Sequence, residues 1–428
     1  MTSYTIPGMH IREHTVSVPL DWSTPDGPDR IEVFAREVVD PVRKDDDLPY
    51  LVYLQGGPGG KAPRPVEPSG WIGTALKTYR VILLDQRGTG RSTPISARRM
   101  ESFESAEAGA DYLACFRADS IIADAEHLRT TVFGGVKWST LGQSYGGFLT
   151  LSYLSKAPEA LTACYVTGGL ASIDPDAAEV YRRTYPRVEA KNREFYRRYP
   201  HNVDRVAAIA DRLAADDVRL PDGDRLTVRR FQTLGIGFGM KPGYERMHWL
   251  LDEAFDADAL SDTFLSQVMV ESSYDGGPLF AALQESIYGS GEGATAWAAE
   301  AERARRPEFA EDARPLLFTG EMMYPWMFEE IRGLRPFRGA VEVLAARPRW
   351  SELYDLDRLA ANDVPVAAAV YFDDMYVDSG LQLDTARRVG NVQAWVTNEY
   401  EHDGLGEERV FNRLTELVRS VGGGVRAD

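Results

Sequence analysis

The chain has 428 residues, 44% hydrophobic and 11% aromatic, a globular composition long enough for one large domain with an insertion or for two domains. It carries 48 basic against 65 acidic residues, a net charge of −17, which argues against nucleic acid and anionic membrane surfaces as partners. No apolar run approaches the ~20 residues that span a bilayer. The segment Met1–Pro7 lacks a basic start and an apolar signal core, and Cys115 and Cys164 lack metal-ligand or redox spacing, so reduced thiols in a cytoplasmic protein are expected.

Taken in chain order, His14–Leu20 and Arg30–Val38 alternate apolar and polar residues, the pattern of antiparallel strands with one wet face. Tyr50–Leu54 and Arg80–Leu84 are unbroken apolar runs, which suit strands covered on both faces. A helix-like stretch, Ala123–Arg129, precedes the strand-like Val136–Leu141. Another helical run, Phe148–Leu154, is followed by the buried-strand pattern Ala163–Thr167. This alternation predicts a mostly parallel, doubly wound α/β sheet. From Asp174 to Arg335 helical periodicity, charged faces and aromatics dominate, and the strand pattern resumes at Val364–Phe372 and Asn391–Thr397. The expected division is a core over residues 1–173, a mainly helical inserted cap over 174–335, and the rest of the core over 336–428.

Between Val136–Leu141 and Phe148–Leu154 lies Gly142-Gln143-Ser144-Tyr145-Gly146, a G-x-S-x-G segment on a strand-to-helix turn. Such a turn strains the serine backbone, demands small neighbours, and presents the hydroxyl at the sheet edge beside the N–H groups of the following helix. A serine needs a base, and the base an orienting acid. Of the six histidines, His10 and His14 lie in the N-terminal strands, His127 on a helix, and His201 and His248 in the cap. Only His402 sits in a glycine-containing loop past the final strand, which gives the chain order nucleophile, acid, histidine. The acid should close the strand Val364–Phe372, where Asp373 and Asp374 are adjacent candidates and Asp378 follows. Neighbours at a strand end point opposite ways, so one of the pair faces the histidine, and the strand alone leaves the choice open. For the oxyanion, Gln55-Gly56-Gly57-Pro58-Gly59-Gly60 follows a buried strand, making the backbone N–H groups of Gly57 and Tyr145 the expected donors.

Gly56-Gly57-Pro58-Gly59, Asp85-Gln86-Arg87-Gly88-Thr89-Gly90-Arg91-Ser92 and Gly142-Gln143-Ser144-Tyr145-Gly146-Gly147 together resemble the prolyl aminopeptidases (proline iminopeptidases), in their longer-capped branch. Tyr153-Leu154 to Pro158-Glu159 and Glu399–Leu405 extend the likeness over about residues 15 to 415. The resemblance implies an α/β-hydrolase fold and a serine exopeptidase that releases N-terminal proline through an acyl-enzyme. Its substrate would be a peptide with a free N-terminus; the oligomeric state is left open. The absence of a clustered ligand set such as H-E-x-x-H predicts that no metal is needed, and no other cofactor is expected. The family's catalytic aspartate closes a strand of the form Pro…Gly-Arg-Tyr-Asp before an apolar residue. Pro365 leading through Tyr371-Phe372-Asp373 to Asp374-Met375 matches with Asp374 in that place, although the Gly-Arg-Tyr part is absent and Asp373 stays a second choice. Asp85–Ser92 reads as a structural turn that buttresses the active-site loops.

Family members use cap glutamates to hold the substrate's amino group. Here Glu285 and Glu321 are single acids in apolar or aromatic surroundings and are the expected counterparts. Tyr288, Tyr324, Trp326 and Phe328 are candidates for an apolar slot around a proline ring, against the plainer alternative of cap core. The rival readings are a related hydrolase acting on other N-terminal residues, esters or small amides, and a catalytically dead binding module. The first would not need the cap carboxylates; the second leaves a full set of competent residues unexplained.

Overall fold

The computed structural model describes residues 2–424. Nine strands form one mixed sheet: β1 (Ser3–Ile6), β2 (Met9–Pro19), β3 (Arg30–Val39), β4 (Tyr50–Leu54), β5 (Arg80–Asp85), β6 (Trp138–Gln143), β7 (Leu161–Thr167), β8 (Val366–Tyr371) and β9 (Val392–Thr397). Their spatial order is β1-β2-β3-β5-β4-β6-β7-β8-β9. The pairs up to β3–β5 are antiparallel and the remainder parallel. This is the α/β-hydrolase arrangement, with helices on both faces.

The unbroken apolar runs have a simple cause. Successive residues of a strand face opposite ways, and here both directions end in a hydrophobic core. Val52, Leu54, Ile82, Leu84, Cys164, Val166 and Ala368 enter one core. Leu51, Tyr53, Val81, Leu83, Tyr165, Ala367 and Ala369 enter the other. The second core is roofed by the C-terminal helix Glu408–Ser420, which buries Val410, Phe411, Leu414 and Val418 along one stripe. The short β1 went unread in the sequence because its four residues, Ser-Tyr-Thr-Ile, are largely exposed and pair only with β2 at the sheet edge. The same edge extension starts β2 at Met9, five residues before the expected His14.

Strand order reverses around β4, whose neighbours are β5 on one side and β6 on the other. Ligand sites in such sheets lie beyond the carboxyl ends of the strands at this switch point. Three segments converge there: the glycine loop after β4, the turn after β6, and the chain leaving β7. Two helices frame the position, α1 (Ala118–Val132) before β6 and α2 (Tyr145–Lys156) after it.

Between β7 and β8 no residue joins the nine-stranded sheet. This stretch is helical, beginning with α3 (Ala177–Arg198), and its strands are two-residue ladders such as Gly291–Glu292 with Arg349–Trp350. Near its end the helix Arg338–Ala345 returns to the core: Gly339 and Ala340 press against Ala106 and Gly109 so closely that added Cβ atoms would stand 3.1–3.2 Å from the opposing side chains. Among the described residues no helix is long and apolar enough to cross a membrane, and no group of three or more His, Cys, Asp or Glu side chains is placed to hold a metal ion.

Candidate active site

Ser144 occupies the single residue between β6 and α2, with φ 55° and ψ −124°. A non-glycine residue in that region stores ~1–3 kcal/mol of backbone strain, which the surroundings must hold in place. They do so by close packing. A Cβ on Gly146 would fall 1.9 Å from the Leu54 carbonyl oxygen, so only glycine lets α2 start this near β4. The serine N–H donates to the Thr167 carbonyl at 2.9 Å, and its own carbonyl accepts from Gly147 at 2.7 Å. Gln143, the residue before it, is held by the Tyr53 hydroxyl of β4 at 3.1 Å.

The chain leaving β7 runs between serine and histidine. A Cβ on Gly169 would stand 2.3 Å from the Ser144 carbonyl oxygen, and one on Gly168, at φ 53°, 3.1 Å from His402 Nδ1. The structure thus brings Ser144 and His402 to opposite sides of one glycine pair. His402 Nδ1 lies 2.7 Å from Asp374 Oδ2, with the aspartate side chain fully buried. The other Asp374 oxygen accepts from the backbone N–H groups of Tyr376 at 2.8 Å and Val377 at 3.1 Å. Asp373, the neighbouring candidate, is exposed, and Asp378 is committed to Arg187 at 2.6 Å. Burial by itself would lower the pKa of His402, but the Asp374 carboxylate, aided by Glu321 and Asp403, overrides it and raises the imidazole above its ordinary value. The five remaining histidines are placed elsewhere: His10 bonds Ser3 and Thr5, His14 bonds Glu37, His127 packs by Trp22, and His201 and His248 face each other in the cap.

Gly56 meets the serine directly, since a Cβ there would lie 3.1 Å from Ser144 Cβ. Gly57 follows at φ 128°, a conformation that needs glycine. Tyr145 opens α2, where the first N–H groups have no acceptor within the helix and the dipole favours negative charge. The Asp85–Ser92 turn braces this loop. Gln86 Nε2 donates to the Gln55 carbonyl at 2.7 Å, while Asp85 takes a bidentate contact from Arg64 at 2.8 and 2.6 Å and the N–H of Ala62 at 3.2 Å. Arg87 anchors the same turn to α1 through Asp124, with both bonds at 2.6 Å.

The cap carboxylates form a different kind of site. Glu285 is buried, and its Oε2 accepts the Ala299 N–H at 3.3 Å, whereas Oε1 is buried without a partner. Burial raises its pKa to about 7 against the pull of the Ala299 and Ala298 N–H groups and Thr295. Glu321 keeps part of its surface accessible but is otherwise enclosed, and burial raises it to about 7 as well, opposed by His402 and assisted by Asp374. The nearby Gln284 side chain pulls it down slightly. Tyr288 is buried between Phe148 and Tyr181, close enough to feel both glutamates and Asp374. Tyr324 and Trp326 stack on each other at 5.8 Å within the cap. Tyr324 is bonded to Tyr185 at 2.9 Å, and Arg229 covers the Trp326 ring. Phe328 packs on Trp297.

Two participants escaped the sequence. Tyr376 holds Asp374 through its N–H and stands edge-on to the His402 ring at 4.8 Å, and buried Gln284 lowers the pKa of Glu321. Neither carries a local signal, because both are ordinary residues made important by a distant loop. The Gly168-Gly169 pair did carry one, a double glycine directly after a buried strand.

A family model described as the alpha/beta hydrolase fold matches residues 49–212. A proline iminopeptidase of Aeromonas sobria is 47% identical over 423 residues, covering 97% of this chain and 98% of the relative. The proline iminopeptidase aneH of Aspergillus aculeatus is 34% identical over 406 residues, covering 92% and 90%. The crystal structure of a proline iminopeptidase from Mycobacterium smegmatis aligns with a TM-score of 0.44 at 15% identity, over 95% of this chain and 100% of that one.

Proposed function

The chain belongs to the proline iminopeptidase branch of the α/β-hydrolase serine peptidases, and from that premise we propose how its residues release an N-terminal proline. The protein is a serine exopeptidase acting on peptides with a free N-terminus. Ser144 Oγ attacks the carbonyl of the first peptide bond while His402 Nε2 takes the hydroxyl proton. Asp374 holds the imidazole by Nδ1 and stabilises its charged form. The backbone N–H groups of Gly57 and Tyr145 receive the oxyanion. His402 then gives its proton to the departing peptide amine, leaving a prolyl ester on Ser144. Water, deprotonated by the same histidine, cleaves that ester and frees proline.

The observation that carries the amine specificity is a pair of enclosed glutamates, Glu321 within reach of His402 and Asp374, and Glu285 linked to it through Tyr288. A carboxylate buried without a lysine or arginine is costly, and it lowers that cost by taking a proton or by receiving a cation from outside. The ammonium of an unblocked peptide is such a cation. Glu285 and Glu321 bind it, Tyr288 borders the ring, and Tyr324 and Trp326 complete the cap wall behind them. The cap is taken over residues 174–335, between core segments 1–173 and 336–428. The cytoplasm is the proposed location, supported by the two free thiols Cys115 and Cys164 and checked by cell fractionation.

The test is a panel of aminoacyl-naphthylamides with and without N-terminal blocking. Unblocked prolyl substrate should be cleaved fastest and N-acetylprolyl substrate poorly. Equal rates on blocked and unblocked prolyl substrates would remove the amine from the recognition and favour a broader esterase or amidase.

A further inference from the structure

The loop that carries His402 is held from the core by Asp374, by Tyr376 on the imidazole and by Tyr371 and Trp395 against Tyr400, and from the insertion by a further set. Glu401, the residue before it, receives Lys191 of α3, whose Nζ lies 2.6 Å from each carboxylate oxygen. The pair is largely buried, with side-chain exposures of 10% and 19%. The His402 backbone N–H itself donates to the Gly239 carbonyl at 3.0 Å. Lys241 closes the other side, its N–H 3.2 Å from both Asp403 oxygens and its Nζ 2.6 Å from the Glu399 carbonyl. Gly239 also touches the residue that packs on the imidazole. A Cβ there would lie 2.4 Å from the Tyr376 ring, and the Tyr376 hydroxyl donates to the Ile236 carbonyl.

The same inserted segment reaches the amine site. Gln232 accepts the Thr319 N–H at 2.8 Å, and a Cβ on Gly235 would stand 2.4 Å from the Thr319 carbonyl oxygen, two residues before Glu321. Residues 232–241 therefore bond to the segment leading to Glu321 at one end and to the catalytic loop at the other. The triad base is seated in an interface between core and insertion, with a buried ion pair immediately beside it.

We propose that Lys191 and Glu401 are a positioning pair for His402: the ion pair fixes the backbone of the histidine loop against α3 and so sets the approach of Nε2 to Ser144. This rests on His402 being the base. A displacement of about 1 Å in reacting geometry costs on the order of 100-fold, while the loss of one partner of a buried pair leaves the other uncompensated. The pair should thus govern the chemical step and leave substrate affinity alone, since neither side chain belongs to the amine site.

The experiment measures turnover per active serine, titrated to completion with a fluorophosphonate, on unblocked prolyl-naphthylamide and on nitrophenyl acetate. Counting only titrated serines removes any contribution from unfolded protein. Lys191→Met should lower kcat 10- to 100-fold on both substrates with KM within about twofold of the parent, and Lys191→Arg should restore most of it. Lys191→Met/Glu401→Gln removes the stranded carboxylate and should stay slow. Return of the double variant to parental kcat would show that the stranded charge, not lost positioning, slowed the single one, and would overturn the proposal. So would parental kcat in Lys191→Met while His402→Ala is inert. Activity surviving in His402→Ala would instead overturn the mechanism on which the pair depends.

Discussion

The proposed triad and the proposed amine-binding glutamates bury charge in two different ways. Asp374 is fully enclosed and all of its demands are met, by His402 on one oxygen and two backbone N–H groups on the other. Glu285 and Glu321 are enclosed with their demands part-met: one Glu285 oxygen has no partner, and burial lifts both acids to about 7. A satisfied buried charge fixes a geometry before substrate arrives. An unsatisfied one waits for a partner, and so serves recognition better than it serves chemistry.

The largest test breaks the satisfied side. Ser144→Ala and His402→Ala should each lower kcat by roughly 10³- to 10⁶-fold with the fold retained at pH 8, and the double variant should be scarcely worse, because residues acting as a unit are non-additive. Substantial turnover in Ser144→Ala would end the mechanism. Next in size, Asp374→Asn should cost on the order of 10⁴-fold in kcat by leaving the imidazole in the wrong tautomer, whereas exposed Asp373→Asn should stay near the parent. The reverse ranking would reassign the acid.

The same contrast explains what could be read from the chain alone. The elbow was legible because its constraints are local: Gly142 and Gly146 must be glycine for β6 to turn into α2 against β4, and they bracket Ser144. The sheet was legible from runs such as Arg80–Leu84, where both faces are covered. Choosing between Asp373 and Asp374 was harder, since pleating says that they diverge without saying which faces inward, and only the family likeness favoured Asp374. The cap was least legible. Tyr324 and Trp326 look like slot residues in sequence, yet they stack on each other and bond within the cap, and nothing local distinguishes them from Tyr288, which lies by the triad. Lys191 and Glu401 are 210 residues apart, and no local pattern joins them.

A smaller effect sharpens the comparison on the unsatisfied side. Glu285→Gln and Glu321→Gln keep shape and remove charge. Each should lower kcat/KM on unblocked prolyl substrates by about 1.5–3 kcal/mol, the range for a hydrogen bond to a charged group. Hydrolysis of nitrophenyl acetate, which has no amine, should barely change, and N-acetylprolyl substrates should lose nothing further. Equal losses on ester and amine substrates would mean that these glutamates support the fold or the triad.

The smallest effect is on stability, and it separates the two kinds of burial without any substrate. Glu285 and Glu321 have folded pKa values raised from 4.5 to about 7. A raised acid favours the folded state while protonated. That advantage is complete below about pH 4.5 and is lost as pH climbs through the folded value near 7. Glutamine does not titrate, so Glu285→Gln and Glu321→Gln should match the parent near pH 5 and exceed it near pH 8, by on the order of 1–3 kcal/mol each after solvent screening. His402 is also raised, but by its partner Asp374, so its contribution is present below about 6.5 and is lost as pH rises through its own folded value. His402→Ala should therefore cost most stability at low pH and approach the parent as pH rises, whereas the glutamine variants start level with the parent and gain. Urea midpoints separate the two, with His402→Ala below the parent at pH 5 and the glutamine variants above it at pH 8. A glutamine variant whose stability difference does not grow between those two values would show that the glutamates are already compensated in the free enzyme, and the case for an amine as their missing partner would fail.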